Sequence, residues 1–399
     1  MKNVPLGKIA HVATGGTPIR DTPEYWGGSI PWVGTAEIDF NTIQSPTDYL
    51  TQQGLDASAA KLLPTGTLLM AMYGQGATRG KVGVLGIDAA TNQACAAITP
   101  KNGLIESEFL FYVLEASYTR IRRLSNVGGQ DNLNTTLIRE IPIPLLSKLE
   151  RKSVIVAARE WTAAIQKTSA LLDELGRRKH GLMQQLLTRR KRLKGFKGTW
   201  NLLRADKLFT EISTRNQTAD EPLLSVTQDR GVIPRNKLVG RVTMPAGAVD
   251  AFKLVEPDDF VISLRSFQGG LEHSAYRGLV SPAYTVLQAS DDIHPAFFRH
   301  YFKSTDFVKR LSVAVVGIRD GKQISYTDFR SIKLPLPSVH EQIALNELLD
   351  LADQDIALCH ARLNSLQLQK RALMQKLLSG EWRLPEKPAK TKISSKKGL

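Results

Sequence analysis

The sequence predicts an α+β fold with two similar globular domains in tandem, each followed by a long helix. Three observations predict it. First, residues 137–193 align without a gap to residues 328–384 at a constant offset of 191, with 18 identities in 57 pairs; average composition gives roughly three or four by chance. The nine residues KHGLMQQLL at Lys179–Leu187 return as KRALMQKLL at Lys370–Leu378. Second, each copy carries a capped coiled-coil pattern. Third, the stretches ahead of the two helices, 1–147 and 201–338, read as short strands with one short amphipathic helix each.

Each repeat opens on an apolar run containing proline, Ile141–Leu146 and Ile332–Pro337, which suits an edge strand or an extended segment ending where a helix begins. Ser147 and Ser338 follow, with Glu150 and Glu341 three residues on. That is the capping-box spacing, in which serine accepts an orphan amide and glutamate reaches back.

A 4,3 seam then runs down each helix. The first reads Val154, Ala158, Trp161, Ile165, Thr168, Leu172, Leu175, Lys179, Leu182, Leu186. The second reads Leu345, Leu349, Ala352, Ile356, Cys359, Leu363, Leu366, Lys370, Leu373, Leu377. An apolar seam of about five heptads needs a partner helix, and each copy's economical partner is the other. The 39 residues from Leu149 to Leu187 span ~58 Å at helical rise. Both seams are interrupted by lysine at the same step, either to fix register or to snorkel at a helix end.

The expected domain order is a first globular domain at 1–147, a long helix at 148–188, a basic linker at 189–200, a second globular domain at 201–338, a second long helix at 339–380 and a basic, disordered tail at 381–399. Within the globular halves, LPTGTLLMAMYG parallels EPDDFVISLRSF, KVGVLGI parallels AYRGLV, ACAAI parallels AYTVL, and SEFLFYVLEAS parallels PAFFRHYFKST.

The 399 residues are 42% hydrophobic, with two cysteines and a formal net charge of +15. No apolar run reaches membrane-spanning length, no signal-peptide pattern opens the chain, and no disulfide framework is suggested. A cytoplasmic protein is expected. Residues 1–200 carry 25 Lys/Arg against 16 Asp/Glu and residues 201–399 carry 28 against 22, or +9 and +6. Excess positive charge on both halves favours a polyanion, nucleic acid first, as partner.

GGTPIRDTPEYWGGSIPWV at Gly15–Val33, the GQGATRGKVGVL loop, the IPIPLL and LPLP segments and the LMQQLL/LMQKLL helix ends together resemble the specificity subunits of type I restriction–modification systems. The second half lacks the GGTP…YWGG…IPW run. The resemblance implies two target recognition domains, each gripping half of a split double-stranded DNA site. It implies an antiparallel coiled coil with pseudo-twofold symmetry as a ruler between them. It implies two methyltransferase subunits and restriction/translocase subunits as partners. Chemistry then belongs to those partners, with S-adenosylmethionine on the methyltransferase and ATP and Mg on the restriction subunit, and no cofactor on this chain. Helices ~58 Å long correspond to roughly 17 base pairs, an upper figure for half-site spacing.

GQGATRGKV nearly matches a phosphate-binding loop, but Val82 stands where the metal-binding hydroxyl belongs. Its Arg79 and Lys81 suit DNA phosphates or a solvated turn. Arg20 and Tyr25, beside Trp26 and Trp32, are candidate DNA contacts in the glycine-rich loop, and Trp32 reads as a core staple. Gln130 and Asn132, with Asn134, suit phosphate contacts or turns. In the second half the candidates are Arg215, Asn216, Gln228, Arg230, Arg265, Gln268, Arg319, Lys322 and Gln323, since Arg can bond guanine and Asn or Gln adenine. No metal-ligand spacing, catalytic triad or methyltransferase motif is present. Two other readings remain: a stand-alone bipartite DNA-binding regulator, and an enzyme using the Lys81 loop as a nucleotide site.

Overall fold

A computed structural model describes residues 2–74, 77–101, 103–124, 132–215, 221–238, 249–263, 270–314 and 324–384. The chain divides into two compact units, one of Met1–Thr168 with Arg362–Leu399 and one of Ser169–Ala361. The division falls inside both long helices, Lys148–Leu187 and Val339–Ser379. Each unit thus takes the beginning of one long helix and the end of the other.

In the first unit the main sheet runs Ala10–Thr14, Cys95–Pro100, Leu68–Ala71, Val82–Leu85, Thr42–Ile43. In the second it runs Phe209–Ile212, Thr285–Ala289, Phe260–Ile262, Leu271–His273. The first four strands of one and the four of the other share order and antiparallel sense. The duplication seen in the helices therefore extends to the sheets.

This topology corrects one parallel. The counterpart of KVGVLGI is Leu271–His273, which neighbours the sheet's central strand as Val82–Leu85 does. AYRGLV instead places Gly278–Val280 against Lys253–Val255 in a separate two-stranded sheet. Three apolar residues suit either edge, and partner geometry decides.

Of the two forms the proline-bearing runs suit, edge strand or extended segment, they take the strand. Among the described residues Pro142–Pro144 pairs only with Asn3–Pro5, and Lys333–Leu336 only with Asn201–Arg204. A two-stranded ribbon tolerates residues that cannot donate to a ladder.

Every seam position is withdrawn from full exposure. In the first unit the pairing is antiparallel: Glu150 lies 3.7 Å from Arg383, and Val154 shares a small cleft with Leu377. In the second, Lys179 reaches Asp353 at 2.5 Å. The repeated helix ends plug the cores. Met374 and Leu377 join Ile98, Phe109 and Leu110 in the first unit. Met183 and Leu186 join Phe209, Phe297 and Leu345 in the second. Burial of a side chain of this size contributes about 1.5–3 kcal/mol, so each helix end is held chiefly by two or three such residues.

The caps differ. Ser147 N donates to Glu150 Oε2 at 2.8 Å and Glu150 N to Ser147 Oγ at 3.2 Å, a reciprocal box. At the second helix Glu341 N donates to Ser338 Oγ at 3.4 Å. The Glu341 carboxylate is taken by Arg192 at 2.5 and 3.0 Å and by Trp200 Nε1 at 3.0 Å. Arg192 and Arg383 occupy the same step of the repeat, so one design is drawn tight in one copy and loose in the other. One residue past each cap glutamate, Arg151 pairs with Glu106 at 2.6 Å and donates to the Leu146 carbonyl. Gln342 donates to the Pro337 carbonyl and accepts from His294 N. Each side chain ties the long helix to the start of the short one that follows the sheet, Ser107–Ala116 or Pro295–Tyr301.

Candidate nucleic-acid interface

In the first unit the glycine-rich run builds a platform. Gly15 leaves no room for a side chain, since a Cβ would stand 1.9 Å from the Thr91 carbonyl oxygen. At Gly28 a Cβ would stand 2.3 Å from the Leu50 carbonyl oxygen, and Gly27 has φ +76°. Close packing and a left-handed turn both require glycine there. The chain so folded buries Trp32, 4% exposed, with its Nε1 donating to the Gly16 carbonyl at 3.0 Å. Trp32 is the staple the sequence suggests.

Trp26 packs edge-on against Trp32 at 5.2 Å. The Arg20 guanidinium stacks over Trp26 at 4.0 Å and lies 4.8 Å from Trp32. Asp48 accepts from Arg20 at 2.9 Å. Arg20, Trp26 and Tyr49 line an open cleft of about 240 Å³. The half-exposed Arg20 is thus oriented by stacking and one carboxylate, a geometry that presents a flat cation to a phosphate or a base edge. Tyr25 ends a single turn, Pro23–Tyr25, beside this platform.

Arg79 and Lys81 turn inward. Arg79 donates to the Arg122 carbonyl at 2.8 Å, and Lys81 pairs with Asp39 at 2.6 Å. Asn134 caps the helix Thr135–Arg139 by accepting from Leu137 N at 2.8 Å, with Asn132 half-buried just before it.

In the second unit Gln228 and Arg230 meet on a turn between strands Leu224–Thr227 and Gly231–Pro234. They line a cavity of about 540 Å³ with Lys303, His273, Tyr276 and Lys179. Lys303 pairs with the buried Glu272 at 2.5 Å and donates to the Gln228 carbonyl at 3.2 Å. Burial raises the Glu272 carboxyl, against the lowering pull of Lys303. His273 is pushed down by burial, against its bond to Asp258. His300 is pushed down to about 4 by burial and by the Arg299 charge. Both imidazoles are therefore neutral near pH 7, and Lys179, Lys303 and Arg299 each face an acid.

Arg215 bridges Lys253 at an exposed edge. Gln130, Asn216, Arg265, Gln268, Arg319, Lys322 and Gln323 lie outside the described residues. Sequence reasoning missed Tyr276 and Lys237, whose ammonium stands 4.6 Å over the Tyr276 ring. Their separation in sequence hid the pairing. It also missed the approach of His300, Asp350 and Asp353, whose ligand-type atoms lie within 4.8 Å of one another. Arg299 and Lys179 already neutralise those two aspartates. Cys95 is buried and its thiol is raised to about 12 by burial, so it is an inert core group.

Residues 1–158 match the family of type I restriction modification DNA specificity domains. The type I restriction enzyme MjaIX specificity subunit of Methanocaldococcus jannaschii is 29% identical over 152 residues, 37% of this chain and 34% of that one. The putative MjaX specificity subunit of the same organism is 23% identical over 312 residues, 72% of this chain and 71% of that one. The aligned part is thus about a third of the first relative's length and about seven tenths of the second's.

The fold is shared with the S subunit of M. genitalium, at 16% identity, TM-score 0.55, 94% of this chain and 96% of that one. It is shared too with a chain from a structure of type I assembly and conformational transition, at 17% identity, TM-score 0.60, 96% and 98%. Residues 1–158 thus match the type I restriction modification DNA specificity domain family, and across most of its length the chain is similar to specificity subunits of those systems. Among the described residues no helix is long and apolar enough to cross a membrane.

Proposed function

We propose that this chain reads a bipartite double-stranded DNA target, one half-site per globular domain, and scaffolds methyltransferase and restriction subunits in the cytoplasm. The observation that carries the reading is the duplication. The same four-strand order and the same capped helix occur twice. The clefts they support carry different chemistry, Arg20 on Trp26 in one and Gln228, Arg230 and Lys303 in the other. A repeated frame with different polar surfaces is what two different half-sites require. The two long helices serve as the spacer.

Methyl transfer with S-adenosylmethionine and ATP- and Mg-dependent cleavage are assigned to partner subunits. The domain limits 1–147 and 201–338, with linker 189–200 and tail 381–399, belong to this proposal. Among the recognition candidates Arg20, Gln228, Arg230 and Arg215 have the exposure or cleft position the role needs, and Tyr25 is half-buried beside the first cleft. Arg79 and Lys81 are assigned to holding their own loop. Neither the stand-alone regulator nor the nucleotide-binding enzyme has a specific observation in its favour.

The test is selection from a random duplex library by the full chain co-expressed with its methyltransferase subunit. Two short half-sites at one fixed gap are expected. A single uninterrupted site, or a gap that varies freely, would refute the reading.

A further inference from the structure

The two long helices end in the same way, and one of them breaks a rule. At the first, Arg189 N donates to the Leu186 carbonyl and Lys191 N to the Gln185 carbonyl. At the second, Gly380 N donates to the Leu377 carbonyl and Trp382 N to the Lys376 carbonyl. Every one of these residues is displaced by the repeat offset of 191, so this is one helix-ending motif used twice. The motif needs a left-handed residue, ordinarily glycine. The second copy has Gly380 at φ +77°, and the first has Arg189 at φ +65°. A side chain kept where the backbone favours none points to a use for that side chain.

Its surroundings show which use. Arg189, Arg190, Lys191, Lys194 and Lys197 are all exposed, and among the described residues none is paired with a carboxylate. Arg192 is spent on Glu341, Trp200 is buried and bonded to the same carboxylate, and Leu193 packs on the core. The linker is thus pinned midway along its free cations, at Arg192 and Leu193, and again beyond them at Trp200. Cations in the last helical turn also complement the helix dipole, but Lys194 and Lys197 lie beyond its reach.

We propose that this pinned cluster, Arg189 to Lys197, is a sequence-independent clamp on the phosphates of duplex DNA. Phosphate fits better than an acidic protein surface because the cations follow one another along a turn-rich segment whose apolar Leu193 and Trp200 are withdrawn onto the core, which leaves the exposed face polar. This rests on the DNA-reading function proposed above. Each phosphate neutralised contributes about 0.9 to the slope of log affinity against log salt.

The experiment uses the full chain with its methyltransferase partner on a duplex carrying its motif, titrated across salt concentrations. Arg189→Gly should lower the slope by roughly one and weaken binding about threefold to tenfold at moderate salt. It should leave the motif intact and the melting temperature equal or higher, because glycine suits the left-handed position. A variant with all five cations changed to glutamine should lower the slope by up to about four. Unchanged slopes in both variants would overturn the clamp and leave the reader standing. Loss of the co-purifying partner would overturn it by assigning the cations to a protein surface. Failure of the unmodified chain to bind its motif would remove the reader itself, and the clamp with it.

Discussion

Lys370 Nζ lies 2.7 Å from both carboxylate oxygens of Glu115 and 5.4 Å from the centre of the Tyr112 ring. The lysine that interrupts the second seam therefore neither reaches for solvent nor faces another seam residue. It joins the long helix to the short helix Ser107–Ala116 of the first unit. In the second unit Lys179, its repeat equivalent, binds Asp353 beside His300.

Removing one partner of the pair leaves the other charge under-compensated. Lys370→Ala is expected to cost about 2–4 kcal/mol, below the full cost for a sealed pair because Glu115 keeps some solvent access. Lys370→Met with Glu115→Gln should recover at least half. Denaturant unfolding of the unmodified chain, Lys370→Met, Glu115→Gln and the double variant measures it, and a double loss equal to the sum of the two single losses would show no coupling.

Glu341 and Glu150 share a place in the repeat but not an environment. Glu341 is 2% exposed and holds Arg192 and Trp200, whereas Arg383 stands 3.7 Å from Glu150. Glu341→Ala should cost about 2–4 kcal/mol and Glu150→Ala about 1 kcal/mol, the worth of a cap. Thermal melts of the two variants rank them directly.

The pH response contains two opposed contributions. The His300 imidazole is held near 4, below its usual 6.5, so the unfolded chain takes up a proton first as pH falls. Stability is therefore lost between pH 6.5 and about 4, by roughly 3 kcal/mol at most. Burial raises the Asp259 carboxyl to about 6 from 3.8. Here the folded chain takes up the proton first, and stability is gained as pH falls from 6 towards 4. His300→Gln should flatten the acid loss. Asp259→Asn should stabilise the protein at pH 7 by about 2 kcal/mol. Unfolding free energies from pH 4 to 8 carry both signs.

The seam can be probed against its own exposed neighbour. Leu175 is withdrawn into the seam, and Leu171 is 53% exposed four residues earlier. Leu175→Asp should destabilise by about 2–4 kcal/mol, and Leu171→Asp by no more than about 0.5 kcal/mol. Circular dichroism melts distinguish them, and equal effects would remove the paired-helix account.

Much of this was legible in the sequence because repetition exposes design. The seam, the serine–glutamate caps and the proline-bearing edge strands each follow from local pattern, and the second copy makes chance an unlikely author of the first. Trp32 as a staple was readable from its glycine-rich setting. What could not be read depends on long-range partners. Arg79 and Lys81 resemble phosphate ligands in sequence, but a carbonyl at Arg122 and a carboxylate at Asp39 claim them. Glu341 reads as a capping residue like Glu150, and only the folded linker shows Arg192 and Trp200 diverting it. AYRGLV resembles KVGVLGI, yet three apolar residues do not say which strand they will pair.

Adenine-methylation mapping of the host genome, with and without this gene, tests the central claim most directly. The account predicts one bipartite motif, two short half-sites at a fixed gap, that disappears when the gene is deleted and returns with it. An unchanged methylation pattern in a host whose methyltransferase subunit is made and active would contradict it.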